Sequence, residues 1–265
     1  MTLYMSKRIW GLLFLVFLAG TMFAQTPFDG TWIANLDTAK LSTKPHVYLL
    51  DKGMFQCFSC VPKIDVKADG EDQKVMGSHY IDAVTIRVVD DRTVEETDKR
   101  EGKTVLTMTR TVSSDGKTLT DKFEDDSEAK AVTGEETYRR VSPGPAGSQA
   151  LSGSWREEKL SNMSSNGITL NYVSTPDGLK MSDTNGVSYD AKFDGKSYLT
   201  IGDPGHTVVT LRRLDPNTID ETDKRDGKIV GMSHMVVSPD GKSMKIVFTD
   251  KGRGTTSTFV LEKKS

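Results

Sequence analysis

The sequence predicts an all-β protein in which two tandem antiparallel up-and-down β-barrels follow a signal peptide. Three observations lead to this fold class. The first 24 residues resemble a signal for export. The rest of the chain contains an internal duplication. Each of the two repeats consists of short runs of β-forming residues separated by glycine turns. After residue 24, no window shows a sustained apolar repeat of helical period, so we expect little helix.

The N-terminal segment has the three regions of a secretory signal. Lys7 and Arg8 precede an apolar run over 9–20, and Thr21-Met22-Phe23-Ala24 leads into a polar segment. This order indicates a cleaved signal peptide over 1–24, and the apolar run is shorter than the roughly 20 residues that span a bilayer. We expect a periplasmic or secreted protein without stable membrane insertion after cleavage. Met22 is larger than the residue usually found three positions before a cleavage site, so an uncleaved anchor is the alternative.

The composition limits the classes of function. Hydrophobic residues make up 36% of the chain and charged residues 27%, with a net charge of −2. This apolar content is thin for a large α/β enzyme and favours small domains or sheets with one wet face. Lysine and aspartate are interspersed, and no basic stripe is present, so the sequence predicts no nucleic-acid partner.

Self-comparison reveals an internal duplication. The pentapeptide Glu96-Thr-Asp-Lys-Arg100 recurs as Glu221-Thr-Asp-Lys-Arg225, a shift of 125 residues, and the same shift places Phe123 on Phe248. Near the start of each copy, Asp29-Gly-Thr-Trp32 matches Ser152-Gly-Ser-Trp155 at a shift of 123. Such a constant register indicates duplicated domains, which we place at 28–141 and 151–264. The Pro-, Gly- and Ser-containing segment 142–150 is then a linker.

Each copy reads as a series of short strands. In the first copy we expect ten, at 31–36, 46–50, 54–57, 63–67, 73–76, 84–89, 93–99, 104–112, 118–123 and 136–141. The frequent Asp-Gly and Asn-Gly pairs favour tight hairpin turns, and the spacing leaves no room for parallel crossovers. Closure of each sheet into a barrel removes exposed edges; a sandwich is the alternative.

The opening motif of each copy carries a family resemblance. Phe28-Asp-Gly-Thr-Trp32 and Leu151-Ser-Gly-Ser-Trp155 resemble the Gly-x-Trp signature that begins lipocalins and related calycin barrels, which include the fatty-acid-binding proteins. The chain departs from that family in two respects. No helix-lid pattern follows either tryptophan, and Thr97-Asp98-Lys99 lacks the tyrosine of the second lipocalin motif.

The resemblance implies structural roles for several residues. Gly30 and Gly153 would shape the motif, and each tryptophan would close one end of its barrel. A basic residue of the last strand would then pack over each ring in a cation–π contact. This pairing assigns Arg139 or Arg140 to Trp32 and Lys263 or Lys264 to Trp155. Simple core packing of the two tryptophans is the alternative.

Cys57-Phe-Ser-Cys60 is the most compact motif and has no counterpart in the second copy. In an exported chain, a disulfide between Cys57 and Cys60 is the expected state. Inert thiols, a redox-active pair and a metal site completed by His46 or His79 are the alternatives. No second cysteine pair is present to complete a structural zinc site.

The duplicated pentapeptides predict two hairpins with acids on one face. If Asp226-Gly227 is a two-residue turn, Arg225 faces Lys228. The acids at 221 and 223 then share a face with residues 230, 232 and 234, and the acids at 96 and 98 share one with residues 105, 107 and 109. These acids lie either on the solvent side or in a wet cavity, and a slip of one residue would reverse every assignment. The candidate ligand-binding residues are Trp32, Trp155, Glu96, Glu221, Met232 and His234.

The leading functional hypothesis is an exported, non-enzymatic protein that binds or carries a small apolar or amphipathic molecule. A structural or interaction module of the cell envelope with filled barrels is the alternative, and an enzyme that uses Glu96, Glu221 or the cysteines is the third. We predict no catalytic residue, metal or cofactor, because metalloprotease, serine-hydrolase and phosphate-loop motifs are missing from the sequence. The oligomeric state stays open. An internal cavity above about 300 Å³ would favour the binding protein.

Overall fold

The fold was obtained as a computed structural model that describes residues 26–264, so the predicted signal peptide lies outside the described residues. Apart from one 3₁₀ turn at Ser165–Ile168, the regular elements are all strands. Twenty strands form two antiparallel sheets of ten, each curved into a nearly closed barrel. The all-β, two-barrel prediction is confirmed. No helix within 26–264 is long and apolar enough to cross a membrane.

All ten strands expected in the first copy are present, with bounds that differ by a few residues. They are β1 Gly30–Lys40, β2 His46–Asp51, β3 Met54–Cys57, β4 Ile64–Lys67, β5 Asp72–Lys74, β6 Ala83–Val88, β7 Thr93–Arg100, β8 Lys103–Val112, β9 Thr118–Asp125 and β10 Val132–Pro143. The second half repeats them as β11 Gly153–Ser161, β12 Thr169–Ser174, β13 Gly178–Asp183, β14 Ser188–Lys192, β15 Tyr198–Leu199, β16 Val208–Asp215, β17 Thr218–Arg225, β18 Lys228–Val237, β19 Ser243–Asp250 and β20 Thr255–Lys263.

The two halves of the chain exchange their first strands. One sheet has the order β4-β3-β2-β11-β10-β9-β8-β7-β6-β5, and we call it the first barrel. The other has the order β14-β13-β12-β1-β20-β19-β18-β17-β16-β15, and we call it the second barrel. The predicted ranges 28–141 and 151–264 therefore delimit the repeats in the sequence, whereas each barrel contains one strand from the opposite repeat.

The short connection between the halves accounts for this exchange. β10 ends at Pro143 and β11 begins at Gly153, and the two strands pair directly, as consecutive strands joined by a short segment usually do. The connection is itself tied to the first barrel, because the Gln149 amide donates a hydrogen bond of 3.0 Å to the Leu50 carbonyl. Because β11 occupies the position between β10 and β2, β1 pairs with β12 and β20 instead.

Each barrel has its own hydrophobic core, and the exchange decides which tryptophan lies in which core. Trp155 packs in the first barrel and Trp32 in the second, both with no exposed surface. The second barrel is closed by a single bridge between Ser188 of β14 and Ile201. The halves thus share one fold and keep two separate cores.

The Gly-x-Trp motifs form the same corner in both barrels. The indole nitrogens of Trp32 and Trp155 each donate a 2.8 Å hydrogen bond to the carbonyl four residues earlier. The backbone φ values of +128° at Gly30 and +132° at Gly153 are ones that residues with a Cβ atom rarely adopt. A Cβ atom at Gly30 would also lie 2.9 Å from Lys263 Cε. Glycine is therefore required where the basic side chain crosses the strand.

The predicted pairing of basic residues with tryptophans within one repeat is wrong. Lys263 Nζ lies 5.0 Å from the ring centroid of Trp32, and the Arg140 guanidinium carbon lies 3.9 Å from that of Trp155. The partners are interchanged because the strands that carry the tryptophans are exchanged. Arg139 has no such role, since it lies on the outer surface, where its Nε is 2.5 Å from a carboxylate oxygen of Glu158.

The predicted disulfide between Cys57 and Cys60 is confirmed. Cys57 ends β3 and belongs to the core of the first barrel. The loop that follows is held against β2, because the Phe58 amide donates a 3.0 Å hydrogen bond to the Val47 carbonyl. The disulfide therefore fixes the loop that leads into β4.

Paired cysteine substitutions test the strand exchange. Thr31 lies opposite Asn171, and residues directly opposite in an antiparallel pair are close enough for a disulfide. We expect the double variant Thr31→Cys/Asn171→Cys to form a 31–171 disulfide on mild oxidation, detected by peptide mapping. The matched control is Thr31→Cys/Val47→Cys, because unexchanged strands would place residue 31 opposite residue 47. A 31–47 cross-link in the absence of a 31–171 cross-link would contradict the exchange.

Candidate functional site

The duplicated pentapeptides point their acids into the barrels. The predicted turns are present, since Arg225 pairs with Lys228 and Arg100 with Lys103. In the second barrel, however, a β-bulge between Asp223 and Lys224 shifts the register, so that Asp223 lies opposite Gly231. An equivalent bulge follows Asp98 in the first barrel. The turn prediction is right, and the bulge reverses the faces predicted for the partner strands.

Met232 and His234 consequently lie outside the second barrel and do not contribute to an internal site. Met232 is 38% exposed, and His234 Nδ1 lies 2.7 Å from a carboxylate oxygen of Asp220 on the outer face. Their predicted role as internal ligand-binding residues is corrected by this placement. The residues that share the inner face with Glu221 and Asp223 are Gly231, Ser233 and Met235. In the first barrel the inner face carries Leu106, Met108 and Arg110 instead of residues 105, 107 and 109.

The first barrel encloses a charged network centred on Arg110. The guanidinium Nη2 lies 2.8 Å from a carboxylate oxygen of Glu96, and Nη1 forms a second ion pair with Asp121. Nη1 also donates a 3.3 Å hydrogen bond to the Tyr48 hydroxyl. All of these side chains are less than 10% exposed. Because buried charges are costly unless paired, Arg110 is the group that allows the acids to lie inside this barrel.

The interior of the first barrel also contains the acid Asp98 and one neutral histidine, His46. Burial raises the pKa of Asp121 to about 7, against the opposing effect of Arg110. Burial and the nearby Glu96 also raise the pKa of Asp98. His46 accepts a 2.9 Å hydrogen bond from Arg253, and burial together with Arg253 lowers its pKa to about 3. The histidine is therefore uncharged, and the interior carries more carboxyl groups than cations.

The second barrel keeps the acids and lacks the internal cation. By the strand pairing, Met235 occupies the place of Arg110, and Ile246 occupies the place of Asp121. Glu221 accepts a 2.5 Å hydrogen bond from the Tyr189 hydroxyl, and the Tyr172 hydroxyl lies 3.6 Å from the Met235 sulfur. Burial and, after it, the neighbouring Asp223 raise the pKa of Glu221. Its protonated form is therefore favoured in the unliganded barrel.

Replacement of polar residues by apolar ones creates a cavity of about 310 Å³ at the second barrel, which we call the apolar cavity. Its barrel wall includes Ala34, Phe259 and Leu261, whose counterparts in the first barrel are Glu157, Glu136 and Tyr138. The rest of the lining comes from Leu36, Leu160, Met163, Asn166, Gly167, Ile168, Thr169, Leu170, Asp183, Asn185 and Ile246. The two interiors have thus diverged chemically on one fold.

A second cavity, of about 370 Å³, lies between the second barrel and loops of the first half, and we call it the acidic cavity. Asp223 and Asp250 supply its carboxylates, and Phe248 lies between the two cavities along β19. The remaining lining residues are Val61, Tyr80, Thr207, Arg225, Val230, Gly231 and Gly252. Gly231 is the counterpart of Leu106 in the first barrel, and this smaller residue accounts for part of the volume of the acidic cavity.

Sequence reasoning missed Arg110, Asp121, Tyr48 and Tyr189. Comparison of the repeats by strand register, in which Arg110 aligns with Met235, was the signal that could have found the difference. Of the predicted ligand-binding residues, Glu96 and Glu221 lie inside different barrels, and neither these two acids nor the two tryptophans line the apolar or the acidic cavity. In the described part of the chain, no group of three or more His, Cys, Asp or Glu side chains is arranged to hold a metal ion.

Removal of Arg110 should destabilise the first barrel strongly. In Arg110→Met, Glu96 and Asp121 lose their buried cation, and we expect the free energy of unfolding to fall by about 3–5 kcal/mol in urea titrations. The triple variant Arg110→Met/Asp121→Ile/Glu96→Gln copies the apolar pair of the second barrel and should recover at least half of that loss. Arg212→Met is the control, since its exposed ion pair should contribute less than about 1 kcal/mol. Equal small effects of Arg110→Met and Arg212→Met would refute the role of the network.

Stability should fall as the pH rises from about 7 to 8 and should level off above the folded pKa of the acids involved. The pKa values of Asp98 and Glu221 are higher in the folded than in the unfolded chain, so the folded state holds protons that it loses as the pH passes through the folded pKa. His46 does not interfere, because its lowered pKa makes its contribution constant above about pH 7. The groups that act on the two acids are Glu96, Arg110 and Asp125 in the first barrel and Asp223 and Tyr189 in the second.

We expect a decrease on the order of 1 kcal/mol per pH unit for each carboxyl that ionises, measured by urea titrations at several pH values. Glu221→Gln should flatten the dependence, whereas Asp220→Asn on the outer face of the same strand should leave it unchanged. Stability that stays constant over this range would show that these acids are already ionised in the folded protein.

Comparison with known proteins assigns no family to the chain. No protein-family model matches it, and no curated protein matches its sequence. The grounds for a function are therefore the two barrel interiors and the cavities at the second barrel.

Proposed function

We propose that the protein is an exported, non-enzymatic carrier of calycin type that binds a small apolar or amphipathic molecule at the second barrel. The observation that carries this proposal is the apolar cavity, whose volume of about 310 Å³ falls at the lower end of the range for small-molecule sites. Leu36, Phe259 and Leu261 provide an apolar wall, and Asn166 and Asn185 provide polar groups at its edge. This combination suits a compact ligand with an apolar body.

The first barrel is assigned a structural role rather than a second binding site. The positions that form the apolar cavity are occupied there by Glu136, Tyr138 and Glu157, and Arg110 fills the interior with ion pairs. An apolar ligand in this barrel would have to displace charged groups from their partners. The first barrel therefore fits the filled-barrel alternative, and the second barrel fits the carrier function.

We assign Glu221 to binding rather than to acid–base catalysis. Its hydrogen-bond donor is Tyr189, and burial raises the pKa of this tyrosine well above its usual value. The Tyr189 hydroxyl therefore keeps its proton near neutral pH and serves as a hydrogen-bond donor to the carboxyl of Glu221. Support for export comes from the signal-like N-terminus and from the Cys57–Cys60 disulfide, since disulfides persist in oxidising compartments.

Blocking the apolar cavity should abolish binding of a neutral apolar probe. We expect the mature protein to bind N-phenyl-1-naphthylamine saturably at one site, with an increase in probe fluorescence. Leu36→Trp places a larger side chain in the cavity and should weaken binding at least tenfold. The matched control is Val173→Trp, because Val173 is 58% exposed on the neighbouring strand β12 and lines neither cavity. Equal binding by both variants, or no binding of this probe or of octanol by the unmodified protein, would reject the carrier.

A further inference from the structure

The second barrel has acids on its inner face that form no ion pair within the described residues. Glu221 and Asp223 follow one another on the inner face of β17, and neither forms a salt bridge within residues 26–264. The polar neighbours of Glu221 are Tyr189 and, more distantly, Tyr172, both of them neutral. Asp250 adds a further carboxylate at the adjoining acidic cavity.

The first barrel shows what compensates the same acid on the same fold. Glu96 is the counterpart of Glu221, and its carboxylate binds the Arg110 guanidinium through Nε at 3.2 Å and Nη2 at 2.8 Å. The place of that arginine is taken by Met235 in the second barrel. The repeated glutamate therefore binds a cation in one copy and faces an apolar side chain in the other.

Arg225 lines the acidic cavity, and its guanidinium is held by other groups. Arg225 donates hydrogen bonds to the Gly205 carbonyl at 3.1 Å and to the Thr207 hydroxyl at 2.9 Å, and it stacks on the Tyr80 ring at 4.6 Å. Arg253 donates to His46 of the first half. Arg225 lowers the pKa of Asp223 through space, yet burial and Asp203 raise it more. Neither acid of β17 thus forms an ion pair with Arg225 or Arg253 in the described part of the chain.

The linings of the apolar and acidic cavities include successive residues on one face of a single strand. Ile246 of β19 lines the apolar cavity, whereas Phe248 and Asp250, the next residues on the same face, line the acidic cavity. Asp223 lies opposite Gly231, where a Cβ atom would lie 2.7 Å from Asp223 Oδ2, so glycine leaves room for this carboxylate at the wall of the acidic cavity. A ligand that occupies both regions would have an apolar part against Phe259 and a polar part against the acids.

We propose that the second barrel binds a cationic amphiphile, with a primary ammonium group at Asp223 in the acidic cavity, next to Glu221 on the same face of β17, and an apolar body in the apolar cavity. This inference rests on the proposed carrier function and narrows its ligand class. The ammonium would supply the charge that Arg110 supplies in the first barrel. It would donate charge-assisted hydrogen bonds to the two carboxylates, which are among the stronger hydrogen bonds in proteins.

Binding of an ammonium ion should release a proton. Burial raises the pKa of Glu221, so its carboxyl is largely protonated in the free protein near neutral pH. The bound cation favours the ionised form, and the carboxyl proton passes to the buffer while the ammonium keeps its own protons. The groups that face Glu221 are Asp223 on its own strand, Tyr189 on β14 and Tyr172 on β12.

Three ligands that share an eight-carbon alkyl chain and differ in their head groups test the proposal on the full mature protein. Octylammonium, octanol and octanoate are titrated by calorimetry near neutral pH in two buffers of different ionisation enthalpy. We expect octylammonium to bind at least about tenfold more tightly than octanol, as a charge-assisted hydrogen bond implies, and octanoate to bind most weakly. The apparent enthalpy for octylammonium should depend on the buffer in the sense of proton release.

Variants of the second barrel separate the cation site from the fold. Glu221→Gln keeps the hydrogen bond with Tyr189 and should remove most of the preference for octylammonium, measured as the ratio of its affinity to that of octanol. Asp220→Asn, one residue away on the outer face, should leave the preference unchanged. Met235→Arg installs the arginine of the first barrel and should also remove the preference, and circular dichroism verifies that each variant is folded.

The outcomes distinguish the two levels of the proposal. If octanol binds and octylammonium binds no more tightly, or if octanoate binds most tightly, the cationic ligand class is overturned while the carrier function stands. An undiminished preference in Glu221→Gln also overturns it. If none of the three ligands binds, the carrier function fails and this inference fails with it.

Discussion

The burial of one repeated pair of acids constrains the interior of both barrels. A carboxylate inside a protein is costly unless a cation, a proton or hydrogen bonds compensate its charge. In the first barrel, Arg110 compensates Glu96 and Asp121 through direct ion pairs. In the second barrel, Met235 replaces that arginine, and Glu221 is left with a hydrogen bond from Tyr189. One duplicated fold thus gives a filled, charged interior and a partly open one.

Strand exchange ties these unlike barrels into one molecule. Each half depends on the other for the strand that carries its core tryptophan, so neither core is complete without both halves. Reciprocal contacts reinforce the connection, because Arg100 donates to the Pro204 carbonyl and Arg225 stacks on Tyr80. Arg100 and Arg225, the last residues of the duplicated pentapeptides, therefore join the two halves. The first and third residues of each pentapeptide, both of them acids, face the barrel interiors.

The sequence was sufficient to predict the all-β class, the duplication and the individual strands, because these depend on local patterns and turn residues. It was insufficient for the register inside the hairpins, since the bulges at Asp98 and Asp223 are not encoded by the turns that follow these residues. Strand exchange was also missed, because Gly-x-Trp has the same local chemistry whichever sheet receives it. The role of Arg110 depends on contacts across the barrel with Asp121, which no spacing along the chain reveals.

The protonation state of Glu221 tests most directly whether the missing cation governs the second barrel. It can be read from the carboxyl ¹³C chemical shift of selectively labelled glutamate, assigned by comparison with Glu221→Gln. In the unliganded protein near neutral pH, this account predicts a largely protonated carboxyl that becomes ionised in Met235→Arg. A carboxylate that is already ionised in the unmodified protein, or one that does not respond to the introduced arginine, would contradict it.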